Sequence, residues 1–136
     1  MKFGLKNIIV ATAVVASIGN LYAQDDVLNK AKLAFAKGNA NSLVNYFNNQ
    51  VEISFDGNKV SYNKNQSEIV LADFFKKNQV KDFIIKHQGN SKEGLKYAIG
   101  TLQCQSGNYR IYLLIKQFNG IFLIDTLDFS KEWLLI

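Results

Sequence analysis

Apolar residues recur at every third or fourth position early in the chain and at every second position later, and that change of period predicts helices followed by sheet. Val27, Leu28, Ala31, Ala34 and Phe35 share one helical face, with Asp25 and Asp26 expected to cap it and favour its positive end and Gly38 as a left-handed stop. Asn41 is the expected cap of a shorter second helix through Leu43, Val44 and Phe47, ended by Asn48 and Asn49. Val51, Ile53 and Phe55 then alternate with Glu52 and Ser54. Asp56 and Gly57 turn this strand into a second one carrying Val60 and Tyr62. Asn65 with Glu68 reads as a capping box for a third helix, whose Val70, Leu71, Phe74 and Phe75 recur at helical spacing until Lys76, Lys77 and Asn78. Four further strands are expected as an antiparallel meander: Asp82 to Gln88, Leu95 to Gln105, Tyr109 to Lys116 and Ile121 to Phe129. Gly89, Asn90 and Gly94, then Ser106 to Asn108, then Asn119 with Gly120 mark their turns.

Ahead of these elements Lys2 and Lys6 precede an uncharged apolar run, Ile8 to Ile18, which predicts a secretory leader cleaved after Ala23. The run falls well short of the roughly 20 apolar residues of a spanning helix. The expected organisation is therefore a leader over 1–23 and one domain over 24–136, released to the periplasm or secreted, with no stable membrane span.

Composition narrows the partners. The chain has 136 residues, 48% of them hydrophobic, and a formal charge of +5, of which two units belong to the leader. Its basic residues are scattered and Arg110 is the single arginine, so nucleic acid is not an expected partner. One His and one Cys provide no cluster at ligand spacing, and neither a metal nor a cofactor is expected. Cys104, alone in an exported chain, forms no internal disulfide and reads as a small buried apolar residue.

The segments Phe35 to Asn39, Val51 to Gly57, Asp73 to Phe75, His87 to Gly89, Tyr97 to Gly100 and Tyr109 to Tyr112 resemble the exported bacterial family called domain of unknown function 4783. The element order as a whole resembles the nuclear-transport-factor-2-like superfamily. That resemblance implies an α+β fold, three helices packed on a strongly curved, mainly antiparallel six-stranded sheet in the shape of a cone. It also implies a pocket between sheet and helices, used by some members for isomerase or dehydratase chemistry and by others for binding or dimerisation.

Six residues are candidates to line such a pocket. By alternation His87 shares a face with Phe83 and Ile85, which points it into the cone as a base or polar ligand group; the plainer account is a structural histidine. Asp125 interrupts an apolar pattern, yet it lies three strands from His87, roughly 14 Å, and a bulge that sends it to solvent explains it as well. Tyr62, Tyr97 and Tyr112 offer phenols and Arg110 a guanidinium, with Arg110 and Tyr112 on one face of their strand. The last two strands are apolar on both faces, so one face is expected against helices and the other against a second subunit. The C-terminal Trp133, Leu134, Leu135 and Ile136 join that contact or close the cone's mouth. The functional expectation is a non-enzymatic module binding a small hydrophobic ligand or a protein. An isomerase, dehydratase or hydrolase of a hydrophobic small molecule is the alternative.

Overall fold

The computed structural model describes residues 23–133. The expected leader, apart from Ala23, and the C-terminal Leu134, Leu135 and Ile136 lie outside the described residues. Helix α1 (23–37) is followed by α2 (Ala40–Val44), β1 (Phe47–Phe55), β2 (Asn58–Asn63), α3 (Lys64–Lys77), β3 (Val80–Asn90), β4 (Lys96–Cys104), β5 (Gly107–Phe118) and β6 (Ile121–Lys131). The strands form one sheet in the order β2-β1-β6-β5-β4-β3, in which β1 runs parallel to β6 and every other pair is antiparallel. The sheet is curved, and its concave face holds the helices.

Local chemistry sets most element ends. Gly38, at φ 61°, takes the left-handed conformation that closes α1 and lets Asn39 N donate to Ala34 O. Asp56 with Gly57 and Asn119 with Gly120 all adopt positive φ, as tight two-residue hairpin turns require. Three sequence expectations shift. Asn39, not Asn41, caps α2, its side chain accepting from Ser42 N at 3.1 Å. Phe47 leaves the helix for β1, where it is fully buried in register with Ile124 of β6, so pairing and burial override helical periodicity. The capping box of α3 lies two residues early: Asn63 Oδ1 accepts from Gln66 N at 2.8 Å, and Gln66 Oε1 accepts from Asn63 N at 3.1 Å. Glu68 instead accepts a hydrogen bond from Asn41 Nδ2.

Aromatic rings fill the space between helices and sheet. Phe35 of α1 meets Phe83 of β3 at 4.9 Å, Phe129 of β6 at 6.1 Å and Phe75 of α3 at 6.3 Å between ring centroids. Phe74 meets Phe129 at 4.8 Å, Tyr109 at 5.0 Å and Phe55 at 5.4 Å. Burying each such ring contributes about 1.5–3 kcal/mol, and the offset and edge contacts contribute further. Asp25 and Asp26 lie within α1 rather than capping it. Gln24 Nε2 donates to Gly94 O at 2.8 Å, and Asp25 pairs with the buried Lys96, fastening α1 to the β3–β4 turn. No helix among the described residues is long and apolar enough to cross a membrane.

Candidate functional site

Strict alternation on β4 and β5 sorts their side chains between two faces. Ala98, Leu102 and Cys104 of β4 and Ile111, Leu113 and Ile115 of β5 enter the core. Tyr97, Ile99 and Thr101, with Arg110, Tyr112 and Leu114, therefore point the other way, to the convex face that none of the described helices covers. Arg110 is exposed, and Tyr112 and Leu114 are half-buried.

His87 reaches the same convex face by a different route, and its expected position beside Phe83 and Ile85 is corrected. Ile85 pairs with Gly100, but His87 pairs with Ile99, so the ladder is bulged at Lys86. The extra residue inverts the alternation and turns the exposed imidazole away from the core. Cross-strand register then draws one continuous row over all six strands: His87, Ile99, Tyr112, Asp128, Ser54 and Lys59. Beside it run Gly89, Tyr97, Leu114 and Thr126 on one side and Ile84, Thr101, Arg110 and Ser130 on the other. The Tyr97 ring lies over Gly89, where an added Cβ would come within 2.7 Å of the phenol oxygen.

Asp125 occupies a second bulge. Leu114 pairs with Thr126 and Ile115 with Ile124, which leaves Asp125 as the unpaired residue of β6. Its Oδ2 lies 3.1 Å from Lys116 Nζ, an ion pair on a partly exposed site. His87 is three strands from both Asp125 and Asp128, roughly 14 Å at normal spacing, so neither carboxylate reaches the imidazole. Among the described residues no group of three or more His, Cys, Asp or Glu is placed to hold a metal ion.

Tyr62 alone of the six candidates points to the concave side, paired with the buried Val51. It lines a pocket of about 290 Å³ with Phe55, Val70, Asp73, Phe74, Lys77 and Asn78, between the β1–β2 hairpin and α3. Asn78 holds the end of this helix: its Nδ2 donates to Phe74 O at 3.0 Å, while its Oδ1 accepts from Ser106 Oγ at 2.6 Å. Burial raises the pKa of the neighbouring Tyr109 phenol, with smaller contributions from Asp56 and Cys104, and burial alone raises that of the Cys104 thiol. A raised thiol pKa leaves little nucleophilic thiolate near neutrality.

Sequence reasoning passed over Ile84, Ile99 and Asp128 as surface residues, while Leu114 entered it through the two apolar faces of its strand. The two-face apolar pattern of β5 and β6 carried the available signal, but which face was convex depended on the bulges. It also passed over Ser54, which is 2% exposed and whose Oγ finds no hydrogen-bond partner among the described residues.

Comparison with other proteins gives consistent results. A DUF4783 family protein from Bacteroides ovatus ATCC 8483 is 29% identical with a TM-score of 0.73, over 76% of this chain and 93% of that one. A second, from Bacteroides fragilis YCH46, is also 29% identical, with a TM-score of 0.72 over 76% and 96% of the two chains. An NTF-2 like protein of unknown function from Burkholderia xenovorans LB400 shares the fold at 11% identity, with a TM-score of 0.64 over 86% and 90%. No curated protein matches the sequence. The family model described as domain of unknown function (DUF4783) matches residues 28–130, and the chain belongs to that family, with a nuclear-transport-factor-2-like α+β fold.

Proposed function

We propose that this protein is exported to the periplasm or beyond and acts there as a non-enzymatic interaction module that pairs through its convex sheet face into a homodimer. One observation carries the reading: Ile84, Tyr97, Ile99, Tyr112 and Leu114 lie together on the face opposite the helices, rimmed by Arg110, His87 and Asp128. Tyrosine and arginine around an aliphatic centre, with charges confined to the edge, match the make-up of protein interfaces. Lys2, Lys6 and the apolar run behind them support the export step.

The catalytic alternative requires titratable groups converging in a cavity. His87, Arg110 and Asp125 are instead spread over three strands of the convex side. Sedimentation of the purified protein tests the pairing, with Leu114→Glu as the disrupting variant and circular dichroism as the check on its fold. A dimer that becomes a folded monomer on substitution is the expected result. A wild-type monomer at about 100 μM, well above the micromolar constants of most standard interfaces, overturns the proposal. The mass of the exported protein, expected to begin at Gln24, tests the processing separately.

A further inference from the structure

The apolar residues of the convex face centre on β4 and β5, and a group able to carry charge stands one strand further out on each side. Tyr97 and Ile99 of β4 lie directly opposite Leu114 and Tyr112 of β5, so the two strands contribute matched apolar pairs about the line between them. In the row of Tyr112 the next residue outward is the half-buried Asp128 of β6, and in the row of Ile99 it is the exposed His87 of β3. At ~4.8 Å per strand both are about 7 Å from that line, on opposite sides of it. Among the described residues neither forms an ion pair, and nor does Arg110, diagonal to Asp128 on β5. Tyr112 and Ser54 flank Asp128 in its row. Lys86, in the bulge, and Tyr97, diagonally across on β4, are the titratable groups beside His87, and β3 is an edge strand with no described strand on its other side.

We propose that two copies of this chain pair about a two-fold axis running along the strands, over the line between β4 and β5, so that Asp128 of each copy meets His87 of the other. The inference rests on the convex-face pairing proposed above and adds its register. A two-fold so placed exchanges β4 with β5 and β3 with β6. Tyr112 then covers the second copy's Ile99, Leu114 covers its Tyr97 and Arg110 its Thr101, while β1 and β2 lie outside the contact. Every contact occurs twice, as an isologous interface requires. Sheets packed face to face stand about 10 Å apart, a gap that an imidazole and a carboxylate reaching towards each other can close. The alternative two-fold, across the strands, lays each strand on its own copy. Asp128 and His87 then stay three strands apart, and where their row lies on itself like groups face like. Complementary charge therefore favours the axis along the strands. An imidazole ordinarily titrates near pH 6.5, and a facing carboxylate favours its charged form. Pairing and protonation of His87 thus reinforce each other. The added stabilisation is present in mildly acid solution, above the carboxylate range near pH 4, and is lost as pH rises through the imidazole's range. His87 is the sole histidine of the chain, so no second imidazole contributes.

Sedimentation equilibrium of the purified protein at about pH 5.5 and about pH 8 reads the dissociation constant. Two contacts worth about threefold each tighten the wild-type dimer about tenfold at the lower pH. His87→Gln removes that difference, His87→Lys keeps the tight form at both pH values, and circular dichroism confirms the fold of each variant. A mixing experiment at the lower pH fixes the register. His87→Asp sets like charges against Asp128, and Asp128→Lys sets like charges against His87, so each variant alone pairs weakly with itself. Mixed, the two variants offer opposite charges at both contacts, and native mass spectrometry is expected to show the mixed dimer about tenfold or more above the statistical share. No pH difference, a difference that persists in His87→Gln, or a statistical mixture overturns this register and leaves the convex-face dimer standing. A protein that stays monomeric at about 100 μM at both pH values overturns the register and the dimer together.

Discussion

Gly100 sits in β4 between Ile85 of β3 and Ile111 of β5, next to the bulge that turns His87 outward. A Cβ added there would stand 2.7 Å from Ile84 O and 2.8 Å from the Phe83 ring. Ordinary carbon contacts begin near 3.4 Å, so Gly100→Ala forces a shift of roughly 0.6–0.7 Å. Neither neighbour yields readily: one is backbone held in the ladder, and the other is a 3% exposed ring packed on Phe35. Overpacking of this kind costs about 1–3 kcal/mol, and the reduced entropy of the unfolded chain returns about 0.4–1 kcal/mol. The expected net loss is about 1–2 kcal/mol, a fall in Tm of roughly 4–10 °C for a domain of this size. Gly89→Ala is the control. The three atoms nearest its Cβ all belong to the end of the Tyr97 side chain, which is 36% exposed and flexible rather than backbone, so the change is expected within about 0.5 kcal/mol. Urea unfolding followed by circular dichroism reads both variants, with an unchanged m value as the sign that only stability moved. Equal losses at the two glycines, or none at Gly100, refute the reasoning.

Two further outcomes follow from local geometry. Asn63→Ala removes the reciprocal bonds with Gln66 at the start of α3 and is expected to cost about 1 kcal/mol in the same urea assay, whereas Asn65→Ala, inside the first turn, costs little. Cys104 and Tyr109 have raised pKa values in the folded state, so the unfolded chain loses these protons first as pH rises. Their contribution is complete below the unfolded thiol value, about pH 8.5, and is lost as pH climbs through the folded values. Urea midpoints measured from pH 8 to 11 should fall more gently in Cys104→Ala than in wild type, and identical slopes contradict the assignment.

The features legible in the sequence were those set by neighbours in the chain. α1 could be read from Leu28, Ala31, Ala34 and Phe35 because all four are buried on one face and Gly38 stops the helix with its own backbone. The hairpins at Asp56–Gly57 and Asn119–Gly120 could be read because few other dipeptides accept positive φ at both positions. Phe47 could not. Its spacing from Leu43 and Val44 suits a helix, and only the parallel ladder with β6, distant in sequence, assigns it to a strand. The expected pocket candidates Tyr97, Arg110 and Tyr112 kept their alternation, but sequence alone left open which face the helices would cover.

Bulges decide that question for His87 and for β6 alike. Phe122 and Ile124 of β6 are buried, and so are Leu127 and Phe129, although the first pair is even-numbered and the second odd. A strand of strict period two cannot bury both pairs on one side. One residue must be taken out of the ladder between them, and Asp125 is that residue. Its charge then has a structural account, because the unpaired position is partly exposed and brings the carboxylate to Lys116 on the neighbouring strand. The same count at Lys86 moves His87 from the core side to the row it shares with Tyr112 and Asp128. Both polar residues that looked like chemistry buried in an apolar pattern are thus consequences of an inserted residue. The insertions keep the core continuous along long, strongly curved strands and deliver the polar groups to the rim of the face proposed to pair.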